Sequence, residues 1–210
     1  MRKLIVAEHI SLDGIIQSPG SPKEDPSGDF DLGGWTVPYE DEAIGQTVQD
    51  QLSQPFELLL GRRTYDIWAA YWPHVRADSP AHGIADLFNS VPKHVATHHS
   101  DTLDWQNSHA LQGELPDAIL KLKRQDGPNL LTWGSGEMVR QLLASGLVDE
   151  IQLMIYPVVL ARGKRLFDDN AQTSAFSLAH STSAASGVLI TRYVRSGEVR
   201  TGTFEEVDKR

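Results

Sequence analysis

Leu58-Leu59-Leu60-Gly61-Arg62-Arg63-Thr64-Tyr65-Asp66 joins an apolar run to a basic and aromatic one across a single glycine. The pattern predicts a strand feeding the first turn of a helix. There, unpaired backbone N–H groups and the positive end of the helix dipole face any nearby anion. Two adjacent guanidiniums suit a phosphate monoester or a diphosphate, because each planar fork donates in pairs. Taken alone, the segment reads equally well as a solvated basic turn.

A second glycine turn, Gly134-Ser135-Gly136, lies between an expected strand and the helix that begins at Glu137. Glycines in that position let a diphosphate approach the backbone at the helix N-terminus. Val139 stands where the dinucleotide fingerprint has its third glycine, and as an isolated motif an ordinary tight turn is the better reading. A third turn, Asp13-Gly14, follows the first strand. No Walker A sequence is present, which argues against a P-loop NTPase, and no Gly-x-Ser-x-Gly elbow supports a serine hydrolase.

His98-His99 follows another strand end without a helical His-x-x-x-His or an acidic ligand cluster, so no metal site is expected. His98 is read as a donor to phosphate or ribose, with His99 facing solvent. Trp35, Tyr39, Trp68, Tyr71 and Trp72 are read as core and groove wall, as large aromatics usually are. Glu40 falls in the first turn of an expected helix, where an acidic side chain ordinarily compensates the dipole. Beside a closed apolar pocket the same carboxyl could orient a polar heterocycle or relay a proton.

The elements that must position these residues alternate. Strands are expected over 3–10, 56–60, 93–97, 129–133 and 148–160, and helices over 39–54, 64–71, 81–89, 115–124 and 137–144. Pro116 sits in the first turn of one helix and Gly146 closes another. Residues 18–34, rich in Ser, Pro, Gly and Asp, read as a surface loop that is either disordered or functional. The tail, 175–206, alternates like antiparallel strands, with a turn at Ser196-Gly197. The sum is a single α/β domain over 1–210: a mainly parallel sheet flanked by helices, with an antiparallel C-terminal edge. The three glycine turns would then share the rim where ligands of such sheets bind.

Composition bounds the function. The net charge of −9 argues against a general nucleic-acid surface, though not against a local basic pocket. With no cysteine, disulfides, thiol catalysis and cysteine-ligated zinc are excluded. Glu8 and His9 end the first apolar run too early for a signal peptide, and no stretch approaches a membrane span, so the expected location is the cytoplasm.

In this order the segments resemble the dihydrofolate reductase fold, most closely the branch typified by the RibD C-terminal domain of riboflavin biosynthesis. Gly61-Arg62-Arg63-Thr64-Tyr65-Asp66 is similar to the family's Gly-Arg-x-Thr-Tyr/Trp-Glu, and Trp133-Gly134-Ser135-Gly136 and Ser11-Leu12-Asp13-Gly14 match as well. Val148-Asp149-Glu150-Ile151 and the run from Pro157 to Phe167 are similar to its Asp-Glu…Pro…Gly-x-Gly-x-x-Leu-Phe signature, with Ala161 in place of the first glycine. The resemblance covers nearly the whole chain. It implies NADPH as cofactor, with its diphosphate between the Gly61 and Gly134 turns. Arg62, Arg63 and Thr64 would hold the diphosphate and 2′-phosphate, and His98 would flank the adenosine. Gly134, Ser135, Gly136, Glu137 and Met138 would supply backbone donors, while Asp13, Gly14 and the loop after them would cover the nicotinamide. Trp35-Thr36-Val37-Pro38-Tyr39-Glu40 repeats the spacing by which dihydrofolate reductases place an acid after Trp-x-x-Pro, with Glu40 in the acid's place. Trp35, Trp68 and Tyr156 are expected to contact substrate. The expected protein is a homodimeric, NADPH-dependent reductase of a small heterocyclic or carbonyl compound. A true dihydrofolate reductase and a non-catalytic nucleotide-binding protein of the same fold are the alternatives.

Overall fold

The computed structural model describes residues 1–99, 103–167 and 172–204. In chain order these form β1 (Leu4–Ser11), α1 (Glu42–Ser53), β2 (Phe56–Gly61), α2 (Arg62–Ala69), α3 (His82–Ser90), β3 (Lys93–Ala96), β4 (Ser108–Ala110), α4 (Leu115–Arg124), β5 (Asn129–Trp133), α5 (Gly136–Ala144), β6 (Glu150–Tyr156), β7 (Ala175–Ser183) and β8 (Leu189–Gly197). One sheet contains all eight strands in the order β4-β3-β2-β5-β1-β6-β8-β7. The first six are parallel, and β8 and β7 close the edge antiparallel.

The central strands are apolar on both faces because both faces are covered. Leu4, Val6 and Ile10 of β1 pack with Ile119 of α4 and Val139 and Leu142 of α5. Ala7 of the same strand faces the opposite layer, with Leu58, Leu60, Tyr65 of α2 and Phe88 of α3. Each of these large side chains, fully buried, contributes about 1.5–3 kcal/mol. Phe88 also stacks on Trp68 at 4.9 Å, which fixes α2 against α3.

Several boundaries differ from the sequence expectation. Pro38 initiates a short 3-10 turn over Val37–Tyr39, so α1 starts only at Glu42, with Asp41 as N-cap accepting the Ile44 N–H at 3.1 Å. Glu40 therefore lies in the extended link ahead of the helix and not in its first turn. The strand expected over 148–160 covers only Glu150–Tyr156, because Pro157 has no N–H to continue the ladder. The C-terminal hairpin turns over residues 184–188, where Gly187 takes φ +88° and its N–H reaches Ala184 O at 3.0 Å; Ser196-Gly197 is the end of β8. Residues 205–206 of the expected tail lie outside the described residues. Strand β4 had not been expected, its Ser108-His109-Ala110 being short and polar.

Loop 18–34 is ordered from within. The Gln17 amide donates to Asp25 O and Ser27 O, both at 2.9 Å, and Trp35 Nε1–H donates to Gln17 O at 2.8 Å. Phe30 and Trp35 anchor it in a third apolar cluster with Ile15, Met154 and Tyr156. Among the described residues no helix is long and apolar enough to cross a membrane.

Candidate active site

Because β2, β5 and β1 are adjacent and parallel, their carboxyl ends open on one rim, and a cleft of about 1460 Å³ lies there. This exceeds the few hundred to 1,000 Å³ or so of an ordinary small-molecule pocket and leaves room for a dinucleotide beside a second ligand. Gly61, Arg62, Arg63, Thr64, His98 and the whole of Gly134–Met138 share its walls, as do Glu40 and Trp68. Trp35 and Tyr156 stand behind the wall, in contact with each other at 5.3 Å. Asp13 and Gly14 lie outside it. The Asp13 carboxylate instead accepts the N–H groups of Leu160 and Ala161 at 3.1 and 2.9 Å, pinning the segment after β6.

The two glycine turns are laced together. Gly61 N–H donates to Ser135 Oγ at 2.9 Å, and Ser135 N–H donates to Thr64 Oγ1 at 2.9 Å. Gly134 takes φ +62°, and a Cβ on it would lie 3.2 Å from the Thr64 hydroxyl, so the close fit requires glycine. Ser135 itself is held in the left-handed region at φ 57°, a strained conformation for a residue with a side chain. Thr64 thus braces the turns by accepting the Ser135 N–H.

The donors left for an anion are fewer than the sequence reading assigned. Gly134 N–H is taken by Glu8 Oε2 at 3.1 Å and Ser135 N–H by Thr64. Gly136, Glu137 and Met138 open α5, where first-turn N–H groups have no partner within the helix, and no side chain caps them. Those three, with two arginines opposite, match the chemistry of a diphosphate. Arg62 is turned to Asp66, donating from Nε to both carboxylate oxygens at 2.8 and 3.0 Å, and its Nη1 reaches His99 O at 3.0 Å. Arg63 pairs with Asp25 at 2.8 Å, and Asp25 also binds Lys164. Burial works to raise the Asp25 carboxyl, but the Lys164 ammonium and Ser27 outweigh it and hold it below the usual carboxylate range.

The ionisable side chains in these walls that had no assigned role from sequence include Glu8, His9, Glu24 and Lys164. Glu8, 6% exposed, has one carboxyl oxygen on Gly134 and the other, Oε1, without a partner among the described residues. Burial pushes its carboxyl well above the usual range despite the Gly134 N–H, with the nearby Glu24 adding to the effect. Burial raises Glu24 as well, against the N–H groups of Gly20 and Ser21. Burial pulls His9 down to about 4, leaving a neutral imidazole whose Nδ1 lies 2.9 Å from the Tyr156 hydroxyl. The signal was present in the sequence: Glu8-His9 interrupts a strand that is otherwise apolar through Ile10, which is costly unless the pair has a use. Around the His9 end of the cleft stand Trp68, Trp72, Trp133 and Glu40, an aromatic lobe with one carboxylate.

Known proteins resemble this chain in sequence and in fold. The uncharacterised protein YyaP of Bacillus subtilis (strain 168) is 29% identical over 188 residues, covering 90% of this chain and 92% of its own. The uncharacterised protein YwjB of the same organism is 27% identical over 173 residues, covering 80% of this chain and 84% of its own. A Shewanella sp. PV-4 protein named as a candidate riboflavin biosynthesis protein superposes with TM-score 0.62 at 21% identity, over 92% of this chain and 99% of that one. A pyrimidine reductase-like protein from Corynebacterium diphtheriae gives TM-score 0.58 at 16% identity, over 94% and 93%. These likenesses establish the dihydrofolate reductase-like fold. The family model described as RibD C-terminal domain matches residues 2–190, and the chain belongs to that family.

Proposed function

We propose that this protein is an NADPH-dependent reductase of a small heterocyclic or carbonyl compound. The observation that carries the reading is the pair of laced turns. They leave the N–H groups of Gly136, Glu137 and Met138 and the guanidiniums of Arg62 and Arg63 facing one cleft with an aromatic lobe. In this reading the N–H groups hold the diphosphate, the arginines read the 2′-phosphate, and His98 flanks the adenosine. Bound NADPH supplies the hydride, and the protein supplies position and electrostatics. Trp68 forms a wall of the substrate lobe. Glu40, at the mouth of that lobe, is the candidate acid, its charge reaching as far as Tyr156. The family supports a homodimer, and the antiparallel edge leaves Leu178, Leu189 and Val194 exposed.

The test is titration of the purified protein with NADPH and separately with NADH, read by tryptophan quenching and energy transfer to the nicotinamide. Tight NADPH and weak NADH binding is the expected result; binding of neither would overturn the proposal. Hydride transfer to dihydrofolate, a pyrimidinone or an aryl ketone then separates a working reductase from a protein that only binds nucleotide.

A further inference from the structure

His9 lies near the carboxyl end of β1, in register with Met154 of β6, and its ring faces the cleft beside Trp133 at 6.4 Å. Behind it Tyr156 is wholly buried, packed edge-on against Trp35 and Tyr39. The Tyr156 hydroxyl has one hydrogen-bond partner among the described residues, His9 Nδ1 at 2.9 Å. That single contact decides the tautomer. If Nδ1 carried the proton, it would donate to the phenol oxygen and strand the phenolic O–H in an apolar site with no acceptor, which is costly. The arrangement that satisfies both groups has Tyr156 O–H donating to Nδ1, so the imidazole proton sits on Nε2. Nε2 meets no acceptor among the described residues and His9 makes no ion pair. The charged groups whose fields reach Tyr156 are Glu40 and Asp41, ahead of α1.

We propose that His9 donates its Nε2–H to the carbonyl oxygen or imine nitrogen of the substrate carbon being reduced, with Tyr156 as the positioning residue that fixes the donor tautomer. This rests on the reductase reading above and deepens it by naming the substrate feature the site grips: a hydrogen-bond acceptor bonded directly to the hydride-accepting carbon. As that carbon takes the hydride with its electron pair from bound NADPH, the π pair of the C=O or C=N bond moves onto the heteroatom. The Nε2–H bond steadies the charge that develops there, as a preorganised donor does. The proton that completes the reduction comes from the candidate acid Glu40, through water in the open cleft. It does not come from His9, since loss of Nε2–H would leave an imidazolate. A neutral donor suits this task because it keeps the same protonation state before and after turnover.

The test is nitrogen-15 NMR of the imidazole in the full-length protein, wild type and Tyr156→Phe, with the kinetics of His9→Leu and His9→Gln beside it. The wild type is expected to show a neutral ring protonated at Nε2 at neutral pH, and Tyr156→Phe a mixture of tautomers. An Nδ1–H ring or an imidazolium in the wild type overturns the proposal whatever the activity. On whichever of dihydrofolate, pyrimidinone or aryl ketone is reduced, His9→Leu is expected to lower kcat by ~100-fold or more, the scale for losing one such donor. NADPH affinity should hold, and His9→Gln, which keeps an N–H, should recover part of the loss. Unchanged kcat in His9→Leu would overturn the role of His9 while leaving the reductase reading intact. Failure of the wild type to bind NADPH, read by the titration above, overturns the reading and the catalytic role together, even with the Nε2–H tautomer in place.

Discussion

Ser135 Oγ accepts the backbone N–H of Gly61 at 2.9 Å, tying the start of α2 to the start of α5 across 74 residues of sequence. Thr64 returns the contact through Ser135 N–H, so each glycine turn is held by a hydroxyl from the other. Ser135→Ala and Thr64→Val should each cost about 0.5–1.5 kcal/mol in denaturant unfolding, and the double variant less than the sum. Because the proposed reading sets the turns against the diphosphate common to both cofactors, each change should weaken NADPH and NADH by the same factor. A selective loss of NADPH would contradict that role.

The arginines make the opposite prediction. Arg62→Ala and Arg63→Ala should weaken NADPH by roughly 1–3 kcal/mol, the scale of charge-assisted hydrogen bonds, and NADH much less. Parallel isotherms for the two cofactors decide it, and equal weakening would remove the 2′-phosphate assignment.

Asp25→Asn tests the competing partner of Arg63. The Arg63 side chain is 60% exposed, so its pair with Asp25 is worth no more than about 1 kcal/mol. Releasing Arg63 should therefore tighten NADPH up to ~5-fold at low salt, with the gain fading as salt rises. Weaker binding in this variant would mean that Asp25 orders the site and does not compete for it.

Glu8 and His9 give stability opposite pH slopes. The Glu8 carboxyl is raised in the folded protein, so above the ordinary carboxylate pKa of about 4.3 the native state holds a proton that the unfolded chain has lost. Stability from this group is complete below that value and declines as pH rises through the folded pKa. His9, drawn down to about 4, does the reverse: its contribution is present above about 6.5 and is lost as pH falls toward 4. Glu8→Gln should accordingly be more stable than the wild type at pH ~8, with the gap closing near pH ~4. His9→Leu should flatten the acid side of the profile. Urea midpoints across pH check both, and a pH-independent difference for Glu8→Gln would contradict the buried acid.

Glu40→Gln should lower kcat on an identified substrate. Unchanged turnover across pH would remove Glu40 as the acid.

How far the sequence disclosed this site depends on the kind of signal. Strands β2 and β5 and helix α4 end where glycine, proline or charge interrupts an apolar period, so their limits were legible to within a residue or so. The start of α1 was not, because the acidic run Glu40-Asp41-Glu42 looks like a first turn until Pro38 is known to form a separate one. Ser196-Gly197 and the 184–188 segment are both turn-like, and only the pairing of β7 with β8 chooses between them. At the cleft, the clustering of Gly61–Thr64 with Gly134–Met138 was legible. What was not is which donors remain after the protein satisfies itself: Glu8 holds one N–H of the Gly134 turn and Thr64 another. That assignment depends on side chains brought together from β1 and α2, which no local pattern records. Trp35 and Tyr156 show the same limit: expected to contact substrate, they are buried against each other.

The double attachment of Asp25 sets a threshold for what the cleft can capture. An anion reaching Arg63 meets a carboxylate already fixed there, so it must win an exchange and cannot simply settle onto a waiting cation. In the proposed reading, a polyanion also gripped by the α5 N-terminus offsets that exchange better than a monoanion does. When Arg63 changes partner, loop 18–34 stays moored through Lys164. The mouth of the cleft can thus yield to an arriving ligand without coming undone.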